Sequence, residues 1–359
     1  MSIDLAERAE ARAGFAALAG ALVLGEPGPG LAELVAGWPS LAVFADTATA
    51  VDFERVFLRT VQPYESVFRS DDARRGGAVA ARVADAYAEI EFTEHSDGRW
   101  RVAGPDHLGL QLRAHAHLAS REAAAWRSER PDEAAQWVEM QRSFFAEHLV
   151  TWSEVALDAL ADVAVGTPYA ALIAEIRTFI VAEVSLLRPA PLLDTQVDPG
   201  FDAANTDGAA PAMGPSRLAR LMLSVARSGV WLSTEHIAEA AHRLGFPWRP
   251  MDGRSNLPPL VSAAAEAGEL DALLSPWIAL ARATAERHEK RGDAQPGAEM
   301  VWRDYARRAQ RTALILDAAR SGSGNAVDSE MTIRIAGADL SAAIDSLQAA
   351  GYDVEIIGE

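Results

Sequence analysis

The chain is expected to be all-α, and three observations carry that expectation. Alanine dominates a composition of 49% hydrophobic and 23% charged residues, and long Ala/Leu/Glu/Arg stretches with few β-branched runs favour helix. Apolar residues recur at helical spacing, as at Val79, Val83, Ala86, Tyr87 and Ile90. Proline and glycine clusters punctuate these stretches. A length of 359 residues suggests about two domains.

In order, residues 3–24 read as an amphipathic helix closed by the breaker cluster Gly25-Glu26-Pro27-Gly28-Pro29-Gly30. The apolar run 13–24 is not expected to be a leader peptide, because Asp4, Glu7 and Glu10 stand where a positive region is needed. It is also too short to span a bilayer. A helix from Leu31 to Gly37 follows, then one over Thr47–Val61 that stops before Pro63, since the residue preceding proline disfavours the α region. Gly76–Ile90 is helical, and Ser96-Asp97-Gly98 is a turn signal. A long helix is expected from Asp106 to Ser128. Another opens at Pro131-Asp132-Glu133, with proline in the first turn and acids beside the helix start. A further helix runs from Tyr169 to Leu187.

This places a helical bundle over 1–188 and a linker over 189–213, which is rich in Pro, Asp and Gly. A helical extension follows over 214–320, then a tail over 321–359. The tail begins Ser-Gly-Ser-Gly-Asn and continues as β-α-β, with strands around Met331 and over Tyr352–Ile357.

Charge narrows the partners. The net charge is −18, made up of −15 in residues 1–213, +3 in 214–320 and −6 in 321–359. An acidic first domain argues against nucleic acid, whose phosphates need a basic footprint, and favours a cationic partner. With no cysteine, disulfides, thiolate metal sites and cysteine nucleophiles are excluded. The absence of cysteine also agrees with a reducing, cytoplasmic setting.

Candidate chemistry is sparse. Gly104-Pro105-Asp106-His107-Leu108 delivers an acid and an imidazole side by side at a helix start. Asp106 reads as an N-cap or as part of a recognition patch. His115 and His117 point to nearly opposite faces at about 100° per residue, so they cannot chelate together, and no His-Glu-x-x-His pattern is present. A metal is therefore not expected. No Gly-x-Ser-x-Gly elbow, phosphate-binding loop or dinucleotide fingerprint occurs, so no cofactor and no catalytic residue is expected. Trp100, Trp126, Trp137, Trp152, Phe144 and Phe145 read chiefly as core.

Three separated motifs resemble the TorD/DmsD family of cytoplasmic redox-enzyme maturation chaperones. They are Pro63-Tyr64-Glu65-Ser66-Val67-Phe68, then Pro105-Asp106-His107-Leu108 with Leu112 and Leu118, then Phe145-x-x-His148-Leu149-x-x-Trp152. The sequence departs from the family pattern at Gln111, where Glu is usual, and at Ala114-His115, where Phe-Met is usual. The resemblance implies a TorD-like bundle over 1–188 that binds the twin-arginine signal peptide, or the apo form, of a molybdopterin oxidoreductase before export. On that basis Glu65 and Asp106 are expected to meet guanidinium groups, and Tyr64, Trp100 and His107 to wall a groove. Ser66, Gln111, His148 and Trp152 complete the expected site. Contact with cargo, or formation of a homodimer, is the expected use of residues 214–320.

Two other readings stand beside it. One is a hydrolase using Asp106 and His107. The other is a helical regulator, because Ser233–Gly245 could pass for part of a helix-turn-helix.

Overall fold

The computed structural model describes residues 2–25, 30–93, 104–189, 213–295 and 297–321. The tail with its β-α-β pattern, the turn at Ser96-Asp97-Gly98 and nearly all of the 189–213 linker lie outside the described residues. Among the described residues every regular element is helical, and the only extended pairing is an isolated antiparallel bridge between Tyr64 and His107.

The chain begins with α1 (Ser2–Leu24), followed by short helices α2 (Leu31–Leu34), α3 (Ala42–Thr47) and α4 (Ala50–Phe53). The single helix expected over 47–61 is thus broken. Ala48 is extended, the Thr49 side chain caps α4, and the chain then widens into a π-helical stretch, Glu54–Thr60. The widened turn brings Phe53 and Phe57 beside the buried Tyr169, with Phe44 edge-on to the same ring at 5.1 Å. Next come α5 (Glu65–Arg69), α6 (Gly77–Glu89), α7 (Leu108–Arg127), α8 (Pro131–His148), α9 (Ser153–Ala164) and α10 (Tyr169–Leu187). Helix α9 falls between α8 and α10, in a stretch to which the sequence reading assigned no element. It is buried on nearly all sides, from Ser153 through Leu160 without a break.

The extension continues with α11 (Pro215–Leu223), α12 (Val225–Ser228), α13 (Thr234–Arg243), α14 (Leu257–Glu266), α15 (Leu270–Ala294) and α16 (Glu299–Arg320). Helices α15 and α16 form a long hairpin. Met1–Asn325 form one compact unit, and Val225, Ala298, Val301, Trp302 and Tyr305 belong to the same apolar core as the helices of the first 188 residues. Trp231 stacks on Phe68 at 5.2 Å, and the Tyr305 hydroxyl donates to the Thr151 carbonyl.

Helix α1 lies along α7, and the two backbones approach each other at glycine. A Cβ on Gly20 would come within 2.6 Å of the Gly109 carbonyl, and one on Gly109 within 2.8 Å of the Gly20 carbonyl. A buried polar knot crosses the same helices. Arg12 on α1 forms a bidentate pair with Glu183 on α10 (2.8 Å to each oxygen) and reaches Glu122 on α7 and Gln141 on α8. Burial raises the Glu183 pKa, but the hydrogen bond to His115 and the Arg12 pair outweigh it and hold the carboxyl down at about 2.

The crossing sets an expected contrast. Gly109→Ala forces backbone apart and costs about 1–3 kcal/mol, whereas Gly14→Ala, which faces open space on the same α1, stabilises by roughly 0.5–1 kcal/mol. Urea unfolding of the two variants checks this.

Candidate functional site

The site is built by two short extended segments that meet antiparallel. Pro63 forces the chain out of helix before α5, and Pro105 does the same before α7. The Leu108 amide donates to the Pro63 carbonyl and the Glu65 amide to the Asp106 carbonyl, both at 2.8 Å. Each segment therefore satisfies backbone groups that the start of the other's helix leaves unpaired.

The caps are crossed. Asp106 does not cap α7. Its Oδ2 accepts from the Ser66 amide at 3.0 Å, inside the first turn of α5. The N-cap of α7 is His107, whose Nδ1 accepts from the Gly109 amide at 3.1 Å, so the helix begins at Leu108 and not at Asp106. A carboxylate at the start of α5 is favoured by that helix's positive end as well as by the hydrogen bond. Ser66 in turn accepts the Gly76 amide on its Oγ and closes the loop between α5 and α6.

Glu65 is the second hub. It is fully buried, and its Oε1 accepts from Arg69 Nη1 at 2.5 Å. Its Oε2 accepts from Gln111 Nε2 at 2.5 Å and lies 3.3 Å from His148 Nδ1. This explains the glutamine at 111: a glutamate there would set two carboxylates against each other, whereas an amide donates. Arg69 also donates to the Glu147 carbonyl, and the Trp152 indole N–H to the His148 carbonyl. His115, at the other departure from the family pattern, donates or accepts at Glu183 (2.7 Å) and lies edge-on to Phe145.

Tyr64, Glu65, Ser66, Asp106, His107, Gln111, His148 and Trp152 are thus brought together, and all eight are buried. They form a closed polar seam between α5, α7 and α8, with Tyr64 and His107 ring to ring at 4.8 Å. Trp100 lies outside the described residues. Arg69 and Arg75, which sequence reasoning did not single out, complete the seam; the Arg75 guanidinium covers the Tyr64 ring at 5.4 Å. The i,i+4 spacing of Glu65 and Arg69 was the available signal for the first. Asp106 Oδ1, Gln111 Oε1 and His148 Nε2 are buried without a hydrogen-bond partner. Among the described residues no cluster of three His, Asp or Glu side chains could hold a metal, and no helix is long and apolar enough to cross a membrane.

A second polar cluster lies where α9 meets the extension. Asp158 takes Arg177 of α10 at 2.6 Å and pairs with Arg291 of α15. The neighbouring Glu154 is nearly fully buried, and this pushes its carboxyl up to about 7 although Arg177 and Arg291 oppose the shift. His288 on α15 is buried against the Trp302 ring and is pushed down to about 4 by that burial.

Two pH dependences follow. Burial, aided by the Arg75 charge, lowers His107 to about 3 from 6.5, so the folded protein keeps it neutral while the unfolded chain takes up a proton below 6.5. The stability His107 provides is complete above 6.5 and is lost as pH falls toward 3. His107→Asn, which retains a capping acceptor, should flatten the acid limb of a stability-against-pH curve by about one proton, about 1.4 kcal/mol per pH unit. Glu154 has the opposite sign. Its folded pKa of about 7 exceeds 4.5, so ionisation costs stability above 7 and the cost is relieved on acidification toward 4.5. Glu154→Gln should therefore stabilise at pH 8 and make no difference at pH 4, as read by denaturant midpoints.

Compared with known proteins, residues 16–158 match the family model described as nitrate reductase delta subunit. That family is one of molybdoenzyme maturation chaperones. No curated protein and no solved structure matches the chain. The matched span holds all three motifs and the whole seam, while α10 and the extension lie beyond it. Over residues 16–158 the chain is thus similar to the nitrate reductase delta subunit family, and that span holds the three motifs that resemble the TorD/DmsD chaperones.

Proposed function

We propose that the protein is a cytoplasmic, non-catalytic assembly chaperone for a molybdopterin oxidoreductase. In this reading it binds the enzyme's twin-arginine signal peptide, or its apo form, before export. The observation that carries the reading is the family match over 16–158, a span that contains every motif residue of the seam. The chemistry agrees with it. Two arginines and an apolar stretch call for carboxylates beside aromatic and apolar walls. The seam joins Glu65 and Asp106 to Tyr64, His107 and Trp152. The net charge of −15 over residues 1–213 steers a cationic peptide toward this part of the chain.

The hydrolase reading fares worse on a specific ground. His107 Nδ1 is taken up by the Gly109 amide and Asp106 Oδ2 by the Ser66 amide, so neither orients the other for proton transfer.

The test is titration of the full chain with a labelled peptide bearing Arg-Arg ahead of an apolar segment. Binding is expected at low salt, weaker binding at high salt, and weaker binding again to a Lys-Lys version, which lacks the bidentate fork. Absence of binding at low salt overturns the reading.

A further inference from the structure

In the resting structure the carboxylate and the aromatic ring proposed to meet cargo arginines are already occupied by arginines of this chain. Arg69 sits on Glu65 at 2.5 Å with its side chain 7% exposed, and Arg75 sits over the Tyr64 ring at 5.4 Å. Arg69 ends α5 just before the loop Ser70–Gly76, and Arg75 lies within that loop, before α6. Arg75 is exposed, and its hold on the ring is a surface cation-π contact.

The loop is wound tightly. Ala73 has φ 53, a left-handed conformation disfavoured for a residue with a Cβ. Asp72 Oδ1 accepts from the Ser70 hydroxyl and the Arg74 amide, and the Gly76 amide is tied to Ser66 Oγ. From outside, the extension clamps the loop: Ser224 Oγ donates to the Ser70 carbonyl at 3.3 Å, and Arg227 pairs with Asp71 at 2.9 Å.

Resting on the reading above, we propose that Arg69 and Arg75 are internal stand-ins for cargo guanidinium groups and that the extension, through Arg227 and Ser224, holds their loop closed. Cargo entry is then an exchange of one guanidinium for another. The physical advantage is that Glu65, with no exposed surface, is never left as an unpaired buried charge. An arriving arginine meets like charge until the loop moves, and releasing the loop relieves the left-handed strain at Ala73. The arrangement also gives the extension a task, since the family match ends before it begins.

The test uses the full chain and the labelled Arg-Arg peptide with its Lys-Lys control. Arg75→Gln, Asp71→Asn and Arg227→Gln alter side chains at or near the surface. Each is expected to tighten Arg-Arg binding by roughly two- to fivefold, the scale of one exposed cation-π contact or ion pair. The Lys-Lys peptide should gain less. Amide exchange of residues 70–76 should speed up when the Arg-Arg peptide binds. If the wild type binds and all three variants bind equally or more weakly, the stand-in proposal is overturned and the chaperone reading stands. If none of the four proteins binds, the reading falls and takes the proposal with it.

Discussion

The structure of the site depends on one acceptor, the Asp106 carboxylate. It lies in the turn before α7 but satisfies the first turn of α5, forty residues earlier in the chain. The backbone pairs Leu108–Pro63 and Glu65–Asp106 tie the same two segments, so the starts of two helices are solved jointly. Once that junction is closed, Glu65 must face Gln111 and His148, and Tyr64 must face His107. Both helices emerge from proline-imposed extended residues, which is why a bridge of strand type survives in a helical protein.

Burial of so many polar groups is costly unless each finds a partner. Apart from Asp106 Oδ1, Gln111 Oε1 and His148 Nε2, the seam meets this with reciprocal pairs: amides on carboxylates, a guanidinium group on Glu65, and a glutamine where a second carboxylate would repel. The Arg12 knot does for α1, α7, α8 and α10 what Asp106 does for α5 and α7. The glycine-to-glycine crossing of α1 and α7 lets that knot form at short range. The packing thus positions the seam, and the seam in turn locks the packing, so their energetics are coupled and not additive.

The extension takes part in this arrangement directly. Trp231 closes over Phe68, Trp302 and Tyr305 enter the core shared with the first 188 residues, and Asp158 is bound by arginines from both sides of the join. Its contacts include the end of α5 and the loop after it, the more exposed edge of an otherwise buried site.

Much of the element order was legible in the amino-acid sequence. Helices α1, α6, α8 and α10 follow apolar spacing and proline or glycine stops, because those signals act over a few residues. The three motifs named the chemistry-bearing side chains for the same local reason. Other features were settled only when distant segments met. Asp106 was readable as a cap, but which helix it caps depends on a pairing across forty residues. The burial of α9 on nearly all sides was settled by packing, and the π-helical widening answers to the aromatic packing around Tyr169. The partners of Glu65, the closing of its site by Arg69, and the hold of Arg227 on the adjoining loop are likewise contacts between segments that local spacing leaves unconnected. Side-chain identity and helical period are properties of neighbours along the chain. Burial, pKa and hydrogen-bond partnership are properties of neighbours in space, and those came into being with the packed fold.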